Sequence, residues 1–378
     1  MISISTLYCG TALASHRLRY GRAGERPRGP VVVFNCTAAC NLACAHCYSS
    51  STAAAGRDEL TTAEAVALLD DLAAAGTPVV LFSGGEPLLR ADLPDLVAHA
   101  AGAGLRAVIS TNATAITAEV ASRLARAGAG YVGVSIDGLR ERHDRFRGRA
   151  GAFDAALAGL DHCRAAGVKV GLRMTLTAGN VADLDGVLDL IRDRQVPRVC
   201  FYHLVYAGRG GGLRGDDLDH PAARRVLDRI IDFAADSPAD VLTVDNHADG
   251  PYLVLRMLRE ASGRAEDALA LLRLNGGNAS GVRLGCVRPN GDVLPDQFSA
   301  GWVLGNVRER PFSEIWTDAS NELLARLRER PRRLTGRCER CRWLDVCNGN
   351  FRARAEAAGE GRWGCDPACY LTDEEIAP

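Results

Sequence analysis

The chain has 378 residues, 47% of them hydrophobic, and a formal net charge of -1. That length allows one large α/β domain with a smaller one beside it, and near-neutral charge argues against general affinity for nucleic acid or an anionic membrane surface. The opening "MISISTLYCGTALASHRLRYGR" has no apolar core of signal-peptide length, and no later run is long enough to cross a membrane, so we expect a cytoplasmic protein. Thiols stay reduced there. The 13 cysteines then point to metal binding or redox chemistry rather than disulfides.

In chain order, residues 1–30 read as an N-terminal extension. From 31 to 215, short β-branched runs alternate with helical patterns. The predicted strands are 31–35, 78–82, 105–110, 131–136, 169–175 and 198–203. Between them lie stretches such as "TAEAVALLDDLAAAG" and "AFDAALAGLDHCRAAG", whose final glycines suit helix C-termini. Alternation of this kind implies parallel strands joined by right-handed crossovers. The six units fit a partial (β/α)6 TIM-like barrel better than a full barrel of eight, with an open doubly wound sheet as the alternative. The Gly-rich "AGRGGGLRGDD" closes this region. Residues 216–280 read as a helical linker, with helices near 220–235 and 251–274. Residues 281–378 are poor in apolar periodicity and rich in cysteine, glycine and proline. A small domain of that composition needs a metal staple.

"CNLACAHCY" places Cys40, Cys44 and Cys47 directly after the first strand of the barrel. Structural zinc takes four ligands, whereas three thiolates on a cubane iron–sulfur cluster leave one iron open. Zinc completed by His46 or a remote residue, and buried unliganded thiols, are the alternatives. One β–α unit later comes Ser83-Gly84-Gly85-Glu86-Pro87. Its glycines permit close backbone approach, and its carboxylate can receive an ammonium group. Near the end, "CERCRWLDVC" and "DPAC" supply Cys338, Cys341, Cys347 and Cys369. Four thiolates with no open position suit an electron-transfer or structural cluster, with zinc as the alternative. Cys365 competes as the fourth ligand.

CxxxCxxC followed by Tyr48, and then by GGEP one unit on, resembles the radical S-adenosylmethionine superfamily. The resemblance implies that the open iron binds S-adenosylmethionine and that one electron splits the sulfonium, releasing a 5′-deoxyadenosyl radical. It assigns Tyr48, Gly84, Gly85 and Glu86 to the cofactor, the last three beside the methionine amine. Ser110 and Asn112 of "STNAT" would lie beside methionine and ribose, with Ala113 in place of the usual glycine. Ser135 and Asp137 of "VSIDG" would contact ribose, and Arg173 the methionine carboxylate; for Arg173 an ordinary ion pair is the alternative. The C-terminal region resembles the SPASM extension, which often holds two auxiliary clusters. Cys286 keeps one position of that pattern, but Asp296 and Phe351 stand where two other cysteines would be. We therefore expect one auxiliary cluster, hence two [4Fe–4S] clusters in all.

"FYHLVYAGRG", "LTVDNHADGPYL" and "LGNVRERPFSEIWTD" resemble the enzymes of alternative haem and haem d1 synthesis that remodel siroheme-derived tetrapyrroles. The implied reaction removes acetate carboxymethyl functions from a didecarboxysiroheme and gives iron-coproporphyrin III. Propionate removal of the haem d1 kind, peptide modification, and a zinc-holding binding module are the other readings. A carboxylate-rich substrate needs cationic or donor groups at the barrel mouth. His203, Arg209 and Asp296 are the catalytic candidates, with Asp245 and His247 as further ones. The implied partners are a tetrapyrrole and an external electron donor of flavodoxin or ferredoxin type, with neither nucleic acid nor membrane. Leu294, where the group usually has histidine, and "SAGW" after Phe298 depart from the pattern.

Overall fold

The computed structural model describes every residue except 13–15, 23 and 26, so part of the N-terminal extension lies outside the described residues. Its strands are β1 (Ile2–Ser3), β2 (Val31–Thr37), β3 (Val79–Gly84), β4 (Arg106–Thr111), β5 (Tyr131–Ser135), β6 (Val170–Leu176), β7 (Arg198–His203), β8 (Asp240–Val244), β9 (Leu284–Val287), β10 (Asp292–Leu294) and β11 (Gly305–Asn306). They form one sheet in the order β1-β8-β7-β6-β5-β4-β3-β2-β9-β10-β11. Strands β2 to β8 are parallel neighbours in chain order. That order is what successive β–α crossovers of one hand build.

The crossovers start where the sequence supplies caps. Helix Thr62–Ala74 opens on a capping box between Thr61 and Glu64. Helix Ala118–Arg126 opens on the Thr117 hydroxyl. Side-chain direction alternates along the strands. Val32, Phe34, Val80, Phe82, Ala107, Ile109, Val132 and Val134 face the helices in the main core. The residues between them, including Val31, Val33, Val79, Leu81, Arg106, Val108, Tyr131, Arg173, Arg198, Cys200 and Tyr202, line one common cavity. Side chains from β2 through β8 meet around one space only if the sheet curls, which makes it a partial barrel.

The sheet continues beyond the six expected units at both ends. Within 216–280 the helices Asp249–Arg259 and Ala265–Asn275 follow the strand β8, so that stretch is not helical throughout. "DVLTV" between two helices pairs in register with β7. At the other edge, β9 of the cysteine-rich region pairs parallel with β2. Arg354, fully buried, ties the two regions together by donating to the Leu204 and Asp245 carbonyls (both 2.8 Å) while pairing with Asp366 (2.8 Å). Among the described residues, no helix is long and apolar enough to cross a membrane.

Candidate active site

Cys40, Cys44 and Cys47 lie at the C-terminal ends of the strands and line a cavity of about 190 Å³. The loop that carries them is set by the glycines after β3. Gly85 N–H donates to Thr37 O (2.8 Å) and Glu86 N–H to Ala39 O (2.7 Å). A Cβ on Gly85 would overlap the Ala39 carbonyl. The two glycines thus serve the cysteine loop as much as any ligand. Arg209 supports the loop from its other side, through Cys44 O (2.9 Å) and Ser51 O (2.7 Å).

Several expected ligand contacts are engaged within the protein. Glu86 is fully buried and accepts from the Thr111 hydroxyl (2.7 Å), Asn112 N–H (2.8 Å) and Leu88 N–H (3.2 Å). Burial pushes its carboxyl up to about 6 despite those donors. Asn112 bonds Asn41 of the cysteine loop (2.8 Å). The Tyr48 hydroxyl joins Asn35 (2.8 Å) and Ser83 (3.1 Å) across β2 and β3. Asp137 accepts from Thr175 N–H (2.7 Å) and pairs with Arg147. Arg147 in turn reaches the Cys44 sulfur (3.6 Å), so a guanidinium sits against one thiol of the triplet.

Other groups stay available. Ser135 lines the cavity and has no side-chain hydrogen bond among the described residues. Arg173 bonds the Ser110 hydroxyl and fits because residue 133 is glycine. Its Nε has no partner and no carboxylate pairs with it among the described residues. A partly buried guanidinium whose Nε is unpartnered and which faces no carboxylate suits a ligand that supplies an anion. Three thiols, a carboxylate-free arginine and a free hydroxyl around one cavity fit a three-cysteine cluster with S-adenosylmethionine.

A second cavity of about 310 Å³ continues down the barrel interior. Val33, Leu81, Arg173, Tyr202, Asp245 and Gln297 border both. His203 faces the first; its Nε2 bonds Asp249 (3.0 Å), whose other oxygen accepts from the Tyr370 hydroxyl (2.6 Å). The ring is therefore held in place while Nδ1 has no partner among the described residues.

Two catalytic expectations need correction. Arg209 reaches the cavity edge, but its guanidinium is bound to loop carbonyls rather than free at the mouth. Asp296 borders neither cavity: it is buried and caps its own turn, accepting from Phe298 N–H (2.8 Å), Ser299 N–H (2.9 Å) and the Ser299 hydroxyl (2.9 Å). Its neighbour Gln297 takes the seam position, with Oε1 unpartnered. His46, weighed from the sequence only as a fourth zinc ligand, lines the first cavity stacked on Phe146 at 4.5 Å. Burial holds its imidazole down near about 4. Its place between two cysteines of the triplet was the available signal.

Cys338, Cys341, Cys347, Cys365 and Cys369 converge on a separate place, each partly exposed. Burial pushes the Cys347 thiol up, reinforced by Cys369, Cys338 and Cys341. Burial likewise raises Cys338, with Cys365 against it as a hydrogen-bond partner. Both candidates for the fourth position are thus present. Two buried guanidiniums attend the group. Arg332 bonds Leu327 O (3.0 Å) and Asn278 Oδ1 (2.9 Å), and Arg352 bonds the Gly349 and Gly364 carbonyls. Neither pairs with a carboxylate among the described residues. Cations of that kind beside clustered thiols fit an anionic metal–thiolate centre.

Residues 34–191 match the Radical SAM superfamily, and residues 283–342 match SPASM, an iron–sulfur cluster-binding domain. The chain belongs to the radical SAM superfamily. Its cofactors are S-adenosylmethionine and two [4Fe–4S] clusters. It is 52% identical to Fe-coproporphyrin III synthase of Methanosarcina barkeri, over 100% of this chain and 99% of that one. It is 42% identical to pre-heme d1 synthase of Dinoroseobacter shibae, over 92% and 87%. Streptococcus suis SuiB bound to its precursor peptide SuiA superposes with a TM-score of 0.72 at 17% identity, over 91% of this chain and 76% of that one. That last likeness speaks for the fold.

Proposed function

We propose that this enzyme removes acetate arms from a siroheme-derived tetrapyrrole of the didecarboxysiroheme kind, giving an iron-coproporphyrin. The carrying observation is the pair of joined cavities. The three-thiol end opens onto a larger space bordered by Arg19, Arg106, Arg173, Arg198 and Arg283. Guanidiniums suit a planar molecule with several carboxylate arms. The 52% identity to Fe-coproporphyrin III synthase supports the same substrate class.

Cys40, Cys44 and Cys47 hold the first cluster, with Arg147 donating to the Cys44 sulfur. Bound together, that cluster and S-adenosylmethionine would supply hydrogen-atom abstraction. Arg173 receives the methionine carboxylate, and Ser135 is the free hydroxyl for ribose. Tyr48, Glu86, Asn112 and Asp137 set the walls through their internal bonds, which pre-orients the reactants. His203, fixed by Asp249, offers Nδ1 to a substrate arm. Cys338, Cys341 and Cys347, with Cys369 or Cys365, hold the auxiliary cluster, and a flavodoxin- or ferredoxin-type carrier supplies electrons. A reducing cytoplasm suits these thiols.

The test is anaerobic turnover of the reconstituted enzyme with dithionite, S-adenosylmethionine and didecarboxysiroheme, followed by mass spectrometry. Loss of two carboxymethyl functions coupled to 5′-deoxyadenosine formation supports the reading. 5′-Deoxyadenosine with an unchanged macrocycle rejects the substrate.

A further inference from the structure

One buried acid at the seam of the two cavities has no task in the account above. Asp245 follows β8 with φ +68, a conformation uncommon for a residue with a Cβ. Its surroundings over-determine that backbone. Asp245 O accepts from Arg354 (2.8 Å), Asn246 donates to Ala368 O (2.8 Å), and His247 N–H donates to Asn350 (2.7 Å). Three consecutive residues are thus pinned to the C-terminal domain, which is how such strain persists.

The side chain is 5% exposed and borders both cavities. No hydrogen bond reaches its carboxyl oxygens among the described residues. The neighbouring buried acids differ: Glu86, Asp137, Asp249 and Asp296 each accept at least one short bond from the protein. A carboxyl that opens onto a cavity seam with no donor from the protein points to a ligand that completes it.

We infer that Asp245 contacts substrate and, in its protonated form, donates a hydrogen bond to the carboxylate of the acetate arm that is removed. This inference rests on the proposed function. Burial pushes the Asp245 carboxyl up to about 7, with Asp296 reinforcing and the Met1 ammonium, Arg354 and His203 opposing. Tyr202 of β7 also faces it. A substrate carboxylate brought alongside raises it further. A neutral acid can donate where an ionised one would repel.

The test uses the reconstituted holoenzyme with S-adenosylmethionine and no reductant. Didecarboxysiroheme is titrated in, and its visible absorption read, between about pH 6 and pH 8.5. For a single bound proton, the wild-type dissociation constant should rise about tenfold per pH unit above the carboxyl's pKa. Asp245→Asn keeps a donor and cannot ionise, so its affinity should stay near the wild-type low-pH value throughout. Asp245→Ala should bind about tenfold more weakly at pH 6. His203→Asn should keep the rise of about tenfold per pH unit, displaced to higher pH because a cation that opposes the Asp245 shift is lost. Cluster absorbance checks that each variant is folded. An unchanged pH rise in Asp245→Asn, wild-type affinity in Asp245→Ala, or loss of the rise in His203→Asn would overturn the inference while leaving the substrate reading intact. No binding by the wild type at any pH would remove both.

Discussion

The two cysteine groups differ in what surrounds them. Cys40, Cys44 and Cys47 line an open cavity beside polar atoms that lack partners among the described residues, the Ser135 hydroxyl and Arg173 Nε among them. The five C-terminal cysteines border neither barrel cavity, and the buried guanidiniums of Arg332 and Arg352 attend them. Unsatisfied groups around the first mark it as a place where ligands arrive and chemistry occurs. Buried guanidiniums with no carboxylate among the described residues, and no border on either barrel cavity, mark the second as an anionic centre set apart from that place. The same element, sulfur-held iron, is assigned two tasks by its polar surroundings.

Breaking each side separately sharpens that contrast. The largest effect is expected from Gly85→Ala, whose Cβ meets the Ala39 carbonyl and displaces the triplet loop. Iron per protein should fall by roughly half, one of two cubanes, with S-adenosylmethionine cleavage abolished; iron analysis and 5′-deoxyadenosine assay check this. Next comes the strut between the regions. Asp366→Asn leaves Arg354 buried and unpaired, which should cost about 3–5 kcal/mol, seen in denaturant unfolding of the holoenzyme. Arg173→Gln should weaken S-adenosylmethionine binding by about 1.5–3 kcal/mol, measured by calorimetry, with both clusters retained. The smallest effect belongs to Ala113→Gly. Ala113 sits at φ +59, so relief of strain offset by chain entropy should stabilise the fold by less than about 1 kcal/mol.

Much of this was legible because local chemistry forces it. The six barrel strands and the CxxxCxxC loop follow from period-two runs, capping residues and spacing. The departure at Ala113 was visible as well, and the structure supplies its meaning: the position is left-handed, which is why glycine suits it. What stayed hidden was how partners are allotted. Arg209 looked like a free cation, but carbonyls of a loop more than 150 residues earlier occupy it. Asp296 and Gln297 are adjacent in sequence, and only the turn that Asp296 caps decides which of them faces the cavity. β8 was missed because a five-residue run between helices carries little periodicity of its own. Asp245 acquires its character from contacts with a region a hundred residues away.

The contrast between an open and a closed centre is tested most directly by electron paramagnetic resonance of two reduced variants. One lacks Cys338, Cys341 and Cys347, and the other lacks Cys40, Cys44 and Cys47. Addition of S-adenosylmethionine should alter the signal of the first variant and leave that of the second unchanged. A shift in the second variant, or none in the first, would contradict the assignment of the open iron to the barrel.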